Sequence, residues 1–299
     1  MKPIGHFLLL ALFLTACASS SPEAARPSPD ADRGPGATFV SPADGATLVY
    51  VPAGEFIMGT DHGMTDEAPA HPVYLDAFWL DRTEVTNEAY RVCVEAGACE
   101  PPSKSREYFD DPAYASHPAA YVSWEDAVDY CAFVGRRLPT EAEWEKAAAW
   151  NPLTNEKYIF PWGNEYACSM GNFDDETELD ASLMQPGLAN CDGFARSAPV
   201  GSFPQGASPY GALDMGGNVW EWAHDAFIEV DPLSASIQNY YAVSPYANPQ
   251  GVDPAISAYR VMRGGSWNWT FGVGRATYRL WFGLDDAYDG VGFRCALSE

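Results

Sequence analysis

Residues 117–148 read HPAAYVSWEDAVDYCAFVGRRLPTEAEWEKAA and contain two helix starts in close succession. Ser123 precedes the first run and Gly135 follows it, and serine and glycine commonly begin and end helices. The second run starts at Thr140 with Glu143 three residues later, which is the spacing of a capping box. The stretch therefore predicts two short helices joined by a tight connection. Helical periodicity places these residues on one face of the first helix: Trp124, Ala127, Tyr130, Cys131 and Val134.

One more helix and several strands are predicted outside this stretch. The segment VTNEAYRVCVEAG predicts a helix that has Thr86 as its N-cap and stops at Gly97. Loops rich in glycine, proline and aromatic residues fill most of the remaining chain. This mixture predicts an α+β domain with much irregular structure. Runs typical of strands are Leu48–Pro52, Glu55–Met58, Val73–Leu80 and Arg260–Arg263.

The chain is strongly acidic. Its 299 residues include 41 Asp and Glu against 17 Lys and Arg, which gives a net charge of −24 at pH 7. A surface of this charge repels phosphate backbones, so nucleic acid is excluded as a partner, and divalent cations are favoured. Hydrophobic residues make up 47% of the chain, which is enough for a sizeable core.

The N-terminus has the pattern of an export signal. Residues 1–16 combine Lys2 with a short apolar run, and Leu14-Thr15-Ala16-Cys17 resembles the bacterial lipobox, in which the cysteine is lipidated. The alternative is an ordinary signal peptide with a chance cysteine at its end. Residues 17–37 are then the lipidated Cys17 and a flexible tether, and residues 38–299 are the domain. We expect a lipid-anchored protein of the bacterial cell envelope, and Ala18 favours the outer membrane because inner-membrane retention commonly uses aspartate there.

Six cysteines remain beyond the lipidation site. In an oxidising compartment this even number predicts three disulfides, and six cysteines allow 15 pairings. Cys93 and Cys99 are close enough in sequence to link the end of a helix to the turn that follows it. Spacing leaves the other pairings open.

Seven segments occur in one order along residues 45–297: VPAGEFIMGT (51–60), HPVYLDAFWLDRTEVTNEAY (71–90), the stretch at 117–148, FPWGNE (160–165), YGALDMGGNVWEW (210–222), VMRGGSW (261–267) and GVGFRCA (290–296). Together they resemble the formylglycine-generating enzyme family, also called the sulfatase-modifying factor domain. The resemblance implies a single domain with a fold like that of C-type lectins, with small twisted sheets, few helices and long ordered loops. It also implies a disulfide between Cys131 and Cys295, which leaves Cys168 and Cys191 as the remaining pair. The alternative for Cys131 is a free, buried thiol.

The resemblance implies two calcium sites built from carboxylate, amide and backbone carbonyl oxygens, which are the hard ligands that calcium prefers. Asp214 replaces an amide found in some members, so it adds negative charge. The alternative is that these residues only cap turns. The first site comprises Asn172, Phe173, Asp192 and Phe194, and the second comprises Asp214, Gly217, Val219 and Glu221.

The family's oxidase chemistry needs two cysteines that bind Cu(I), and this chain lacks both. The resemblance places those cysteines at Phe271 and Ala276, whose side chains are not copper ligands. No cysteine occurs between Cys191 and Cys295, so a shifted alignment restores neither. Gly290 replaces an asparagine that faces substrate in authentic enzymes. These replacements predict that copper and the copper-dependent reaction are absent.

Other catalytic sets have weak support. The mature chain has four histidines, and none shows the i, i+4 spacing of a helical metal pair: His62, His71, His117 and His224. A Ser–His–Asp triad stays open, although no G-x-S-x-G elbow is present. The abundant carboxylates are typical of a solvated surface. Aromatic residues predict a binding groove formed by Trp269, Phe271, Tyr278 and Trp281, whereas Trp220 is predicted to be core.

Two classes of function follow from these patterns. The first is a non-oxidase binding or structural module that recognises an unknown envelope protein, peptide or glycan. The second is an oxidoreductase that modifies exported proteins through ligands other than cysteine. A third possibility is a protein that gains activity only in a complex. A bound redox metal distinguishes the first class from the second, because a binding module needs none.

Overall fold

The structure, a computed structural model, describes residues 33–102, 104, 106–174, 192–228, 240–252, 255 and 257–299, without the side chains of residues 107 and 271. The signal segment and Cys17 lie outside the described residues. Residues 33–37, which the sequence places in the tether, lie against the domain. Gly36 donates a backbone hydrogen bond to the Tyr50 carbonyl (3.0 Å), and Arg33 forms an ion pair with Glu299 (2.8 Å).

The three predicted helices begin where the sequence predicts, and two short helices, α2 and α5, were not predicted. Thr86, Ser123 and Thr140 are the N-caps of α1, α3 and α4, and each side chain accepts a hydrogen bond from a backbone N–H of the first turn. None of the described helices is long and apolar enough to cross a membrane. The α-helices are α1 (Asn87–Glu95), α2 (Arg106–Asp110), α3 (Trp124–Phe133), α4 (Glu141–Ala149) and α5 (Tyr240–Val243), and 3₁₀ turns cover Thr65–Glu67, Pro112–Tyr114, Cys168–Met170, Pro204–Gly206 and Phe271–Gly274.

Two four-stranded sheets and two hairpin-like pairs make up the β structure of the described residues. The orders are β1-β2-β5-β12, β10-β9-β8-β11, β3-β4 and β6-β7, and only β11 against β8 is parallel. The α+β prediction is confirmed. The strands are β1 (Thr38–Val40), β2 (Thr47–Val51), β3 (Gly54–Met58), β4 (His71–Leu75), β5 (Phe78–Asp81), β6 (Trp150–Asn151), β7 (Glu156–Lys157), β8 (Trp220–Phe227), β9 (Tyr259–Arg263), β10 (Leu280–Gly283), β11 (Val291–Gly292) and β12 (Ala296–Ser298).

The predicted strand Val73–Leu80 is wrong as a single element. It is divided into β4 and β5, which belong to different sheets. The break lies at Asp76, whose backbone N–H donates to the Asn248 side chain and whose carboxylate accepts from it, both at 2.9 Å. These bonds remove the backbone of Asp76 from the hydrogen bonds between strands. Because Asn248 is 172 residues away, the sequence around Asp76 does not indicate the break.

Helix α4 lies at the centre of the molecule. Every one of its nine residues is buried, including four charged ones, and it contacts strands β3, β4, β6, β8 and β9. One apolar cluster packs Trp144 against the first sheet, and a second packs α1 and α3 against Trp220 and Trp222. The face predicted for α3 is confirmed, because Ala127, Tyr130, Cys131 and Val134 are buried and Trp124 is half-buried.

Two predicted disulfides are confirmed. Cys93 is bonded to Cys99, and Cys131 is bonded to Cys295. Cys168 is also in a disulfide. Its predicted partner, Cys191, lies outside the described residues.

Candidate functional site

The segment between β9 and β10 contains Phe271 and Ala276, where the resemblance places the copper cysteines, and buried ion pairs fix both of its ends. Arg263, at the end of β9, bonds Glu141 (3.1 Å) and Glu145 (2.5 Å) of α4. Arg279 makes a bidentate pair with Glu141 at 2.6 and 2.9 Å. Because these side chains are almost entirely buried, the segment is held by contacts that need an intact α4.

A third arginine holds the middle of the segment. Arg275 makes a bidentate pair with Glu67 (2.7 Å to each oxygen), and the Thr277 hydroxyl donates to the same carboxylate at 2.6 Å. Burial opposes ionisation of Glu67, but these hydrogen bonds outweigh it, so the pKa of Glu67 lies below its usual value. The R-x-x-x-R spacing of Arg275 and Arg279 therefore serves as a structural clamp.

The structure describes the surroundings of the two positions that the resemblance assigns to the copper cysteines. Ala276 is fully buried, its N–H donates to the Ile159 carbonyl (2.8 Å), and its carbonyl accepts from Arg263 (2.5 Å). Phe271 begins the 3₁₀ turn Phe271–Gly274. Both backbone groups of Ala276 are therefore occupied by hydrogen bonds, and its side chain carries no thiol.

Gly290, which stands where the family places a substrate-facing asparagine, is also closed in. A Cβ atom built there would lie 2.5 Å from Ser266 Oγ and 2.8 Å from Asn268 Oδ1. Any side chain at this position would displace both groups. The local packing has therefore adapted to glycine.

The first predicted calcium set is partly assembled. The Asp192 carboxylate accepts from the backbone N–H groups of Phe173 (3.0 Å) and Phe194 (2.9 Å), which brings these residues together. Asn172 is fully buried, and its Oδ1 has no hydrogen-bond partner among the described residues. A buried oxygen without a donor is costly, and a cation would satisfy it.

The second set is assembled differently from the prediction. Both oxygens of Glu221 accept from Arg294 at 2.6 Å, and the Trp144 indole donates to one of them (2.7 Å). Asp214 accepts from the Gly201 N–H through one oxygen (2.6 Å), while its Oδ1 is buried and without a hydrogen-bond donor among the described residues. The other predicted ligands, Gly217 and Val219, lie in the buried loop that leads to Glu221.

Glu84 is a residue that sequence reasoning missed. It is almost fully buried beside Asp214, and its Oε2 lacks a hydrogen-bond donor among the described residues. Burial and the adjacent Asp214 raise the pKa of Glu84 well above its usual value, and burial likewise raises that of Asp214. Two carboxyl groups in this position need a proton or a cation between them. In the sequence, Glu84 was marked only by its place in the family segment at 71–90.

Asn218 connects the two predicted calcium sets. Its amide nitrogen donates to Glu84 (2.9 Å), and its oxygen accepts from Asn172 (3.2 Å) and from the Ala198 N–H (2.8 Å). The two sets of oxygens are therefore linked to each other through the Asn218 amide. Within the described residues no group of three or more His, Cys, Asp or Glu side chains is arranged to hold a metal.

Three of the four side chains of the predicted groove are described, and they lie in two separate places. Trp269 is 37% exposed, and its ring and that of Tyr278 both contact the buried Trp220, at centroid distances of 5.7 and 6.0 Å. Trp281 instead stacks on Phe227 (5.6 Å) in a separate cluster. The groove prediction is therefore wrong for Trp281. Its neighbours in β10, Leu280 and Phe282, pack in the same cluster as Tyr278, whereas Trp281 faces the other side and packs with Phe227. The side chain of Phe271 lies outside the described residues. The core position of Trp220 is confirmed.

A different concavity lies beside Gly290. This cavity of about 170 Å³, which we call the aromatic pocket, is lined by Tyr108, Asp111, Tyr114, Tyr121, Arg196, Ser197, Trp267 and Asp289. Its floor is polar: Ser197 Oγ lies 2.6 Å from the Tyr108 hydroxyl and 3.0 Å from His117 Nδ1. Burial lowers the pKa of His117. The lining comes from four distant segments, which explains why the sequence did not indicate it.

Taken together, the α+β fold and the order of its segments define a protein of the sulfatase-modifying-factor class. The sulfatase-modifying factor enzyme 1-like domain family matches residues 37–299, and the chain belongs to this family. It is 31% identical over 272 residues to hercynine oxygenase of Mycolicibacterium smegmatis, which covers 80% of the chain but only 58% of that relative. It is 31% identical over 303 residues to inactive C-alpha-formylglycine-generating enzyme 2 of Mus musculus, covering 86% and 87% of the two chains. The solved structure of PvdO from Pseudomonas aeruginosa matches with a TM-score of 0.69 at 25% identity, over 90% of this chain and all of the other.

Proposed function

We propose that this protein is a calcium-stabilised sulfatase-modifying-factor domain that binds a ligand in the bacterial cell envelope and has no copper oxidase activity. Lipidation of Cys17 would attach it to the membrane, with the outer membrane favoured.

One observation is the main support for the absence of copper oxidase activity. The position of the second copper cysteine is Ala276, which is fully buried and has both backbone groups in hydrogen bonds. Thiolates are the ligands that hold Cu(I) in such sites, and the segment offers none. A relative of similar length that bears the word inactive in its name, with 31% identity, supports the same conclusion by analogy.

Calcium would stabilise the long loops. The oxygens that support this role are Asn172 Oδ1, Asp214 Oδ1 and Glu84 Oε2, all buried and without hydrogen-bond donors among the described residues. A bound divalent cation would neutralise the Glu84–Asp214 pair. It would thereby link the loop between β5 and α1, which carries Glu84, to the loop before β8, which carries Asp214. The cation would thus serve folding rather than chemistry.

The test is the metal content of the mature domain, purified from periplasm without chelator. We expect about two calcium ions per chain, no copper or iron, and a lower Tm after EDTA treatment. Stoichiometric copper or iron would overturn the non-oxidase proposal in favour of an oxidoreductase with other ligands. An unchanged Tm in EDTA, with no calcium found, would overturn the calcium role alone.

A further inference from the structure

The aromatic pocket has walls built of flat rings. Tyr108 and Tyr114 lie with their ring centroids 4.4 Å apart, and Tyr121 and Trp267 complete the enclosure. Trp267 is half-buried, so part of its ring is open to the cavity. Enclosures of this kind, apolar on their walls with a few convergent polar groups, are typical of small-ligand sites.

The polar groups of the pocket include both donors and acceptors. Arg196 is exposed, and its guanidinium carbon lies 6.0 Å from the centre of the Trp267 ring. Asp111 and Asp289 contribute carboxylates, and the nearly buried Ser197 contributes a hydroxyl. A ligand in this cavity would therefore meet one guanidinium, two carboxylates and several hydroxyl groups.

The pocket is rigidly built. Tyr121 has a φ of 58°, a left-handed conformation that is unfavourable for an aromatic residue, and its N–H donates to the Tyr288 carbonyl (3.0 Å). Non-glycine residues are held in this region only where the surroundings enforce it, and such residues cluster at ligand sites. Asp111 is fixed as the N-cap of the turn Pro112–Tyr114. Rigid walls reduce the entropy lost when a ligand binds.

We propose that the aromatic pocket binds a single sugar ring of a glycan. A sugar presents an apolar C–H face that packs on aromatic rings, and a rim of hydroxyl groups that both donate and accept hydrogen bonds. A simple cation fits less well because Arg196 already lies over Trp267. A simple anion fits less well because Asp111 and Asp289 would repel it. The inference rests on the proposed binding function and names the class of ligand.

Saturation-transfer-difference NMR on the mature domain tests this assignment, with glucose, galactose and N-acetylglucosamine as probes and arginine and succinate as comparators. We expect ring-proton signals from at least one sugar. Asp289→Asn and Arg196→Met should each weaken its binding by about 5-fold or more, since each removes a charge-assisted hydrogen bond. Trp267→Leu should weaken it further by removing the stacking face.

Trp269→Phe is the matched control, because Trp269 is a nearby exposed tryptophan that does not line the pocket. Its sugar affinity should stay within about 2-fold of the parent. Thermal melts of every variant establish that it is folded. The inference is overturned if no sugar gives a signal, if only arginine or succinate binds, or if Trp269→Phe weakens binding as much as the pocket variants. Copper in the same sample would overturn the non-oxidase proposal and leave the sugar result standing.

Discussion

Lys146 is a buried amine at the centre of the fold. It is 2% exposed, and its Nζ donates to the Pro52 and Gly54 carbonyls, both at 2.9 Å. Burial lowers the pKa of Lys146 from 10.5 to about 8. The folded protein therefore releases this proton at a lower pH than the unfolded chain does.

This shift predicts that the contribution of Lys146 to stability rises with pH between about 8 and 10.5. In that window the unfolded chain still binds the proton and the folded one does not, so the gain through this residue reaches roughly 3 kcal/mol. Lys146→Met should remove that slope in urea unfolding measured from pH 7 to pH 10. Lys104→Met, at an exposed site, is the control and should keep it. An unchanged slope in Lys146→Met would contradict the prediction.

Replacing Asp214 in the Glu84–Asp214 pair should change the stability of the protein in opposite directions with and without calcium. Asp214 has a φ of 57°, which asparagine tolerates, so Asp214→Asn keeps the backbone and removes one charge. In EDTA at neutral pH the variant should be more stable than the parent by roughly 1 kcal/mol, because the buried pair no longer has to take up a proton on folding. In calcium it should be less stable, because a carboxylate ligand is lost.

Thermal melts in both conditions measure these effects, and the exposed Asp110→Asn is the matched control. A loss of stability of the same size in calcium and in EDTA would show that Asp214 has only a structural role.

At the scale of the element, α4 is a helix whose charges are buried instead of solvated. Glu141 and Glu145 share Arg263, and Lys157 also pairs with Glu145. Burial opposes ionisation of Glu145, but Lys157 and Arg263 outweigh it, so its pKa is lowered. Removing one partner from such a network leaves an uncompensated charge inside the protein.

Arg263→Met should therefore destabilise the protein by about 3–5 kcal/mol. The matched control is Arg106→Met, which breaks an exposed i, i+4 pair with Asp110 and should cost less than about 0.5 kcal/mol. Urea unfolding of both variants measures the difference. Equal small losses would mean that the buried network contributes no more than a surface pair.

The same element shows how far sequence could predict this structure. The start of α4 was predictable because Thr140 and Glu143 interact locally. The partner of Glu141 was not, since Arg263 lies 122 residues away. Likewise, the break at Asp76 depends on Asn248, and the aromatic pocket depends on segments that meet only in the folded chain. The family resemblance supplied the predicted calcium residues, but it did not indicate the pair of Glu221 with Arg294, which lies 73 residues away.

At the scale of the whole molecule, two disulfides in one apolar cluster close loops of very different length. Cys131–Cys295 joins α3 to the chain just before β12 across 164 residues, whereas Cys93–Cys99 spans 6. Both pairs are buried, so their packing contributions are comparable. The main difference is the entropy that each removes from the unfolded chain.

Chain-entropy arithmetic gives about 5 kcal/mol for the long loop and about 2 kcal/mol for the short one. Replacing Cys131 and Cys295 together by alanine should therefore cost about 3 kcal/mol more than replacing Cys93 and Cys99. Guanidinium unfolding of the two double variants under non-reducing conditions measures this difference. Equal losses would show that packing and native-state contacts, rather than loop closure, account for the stabilisation.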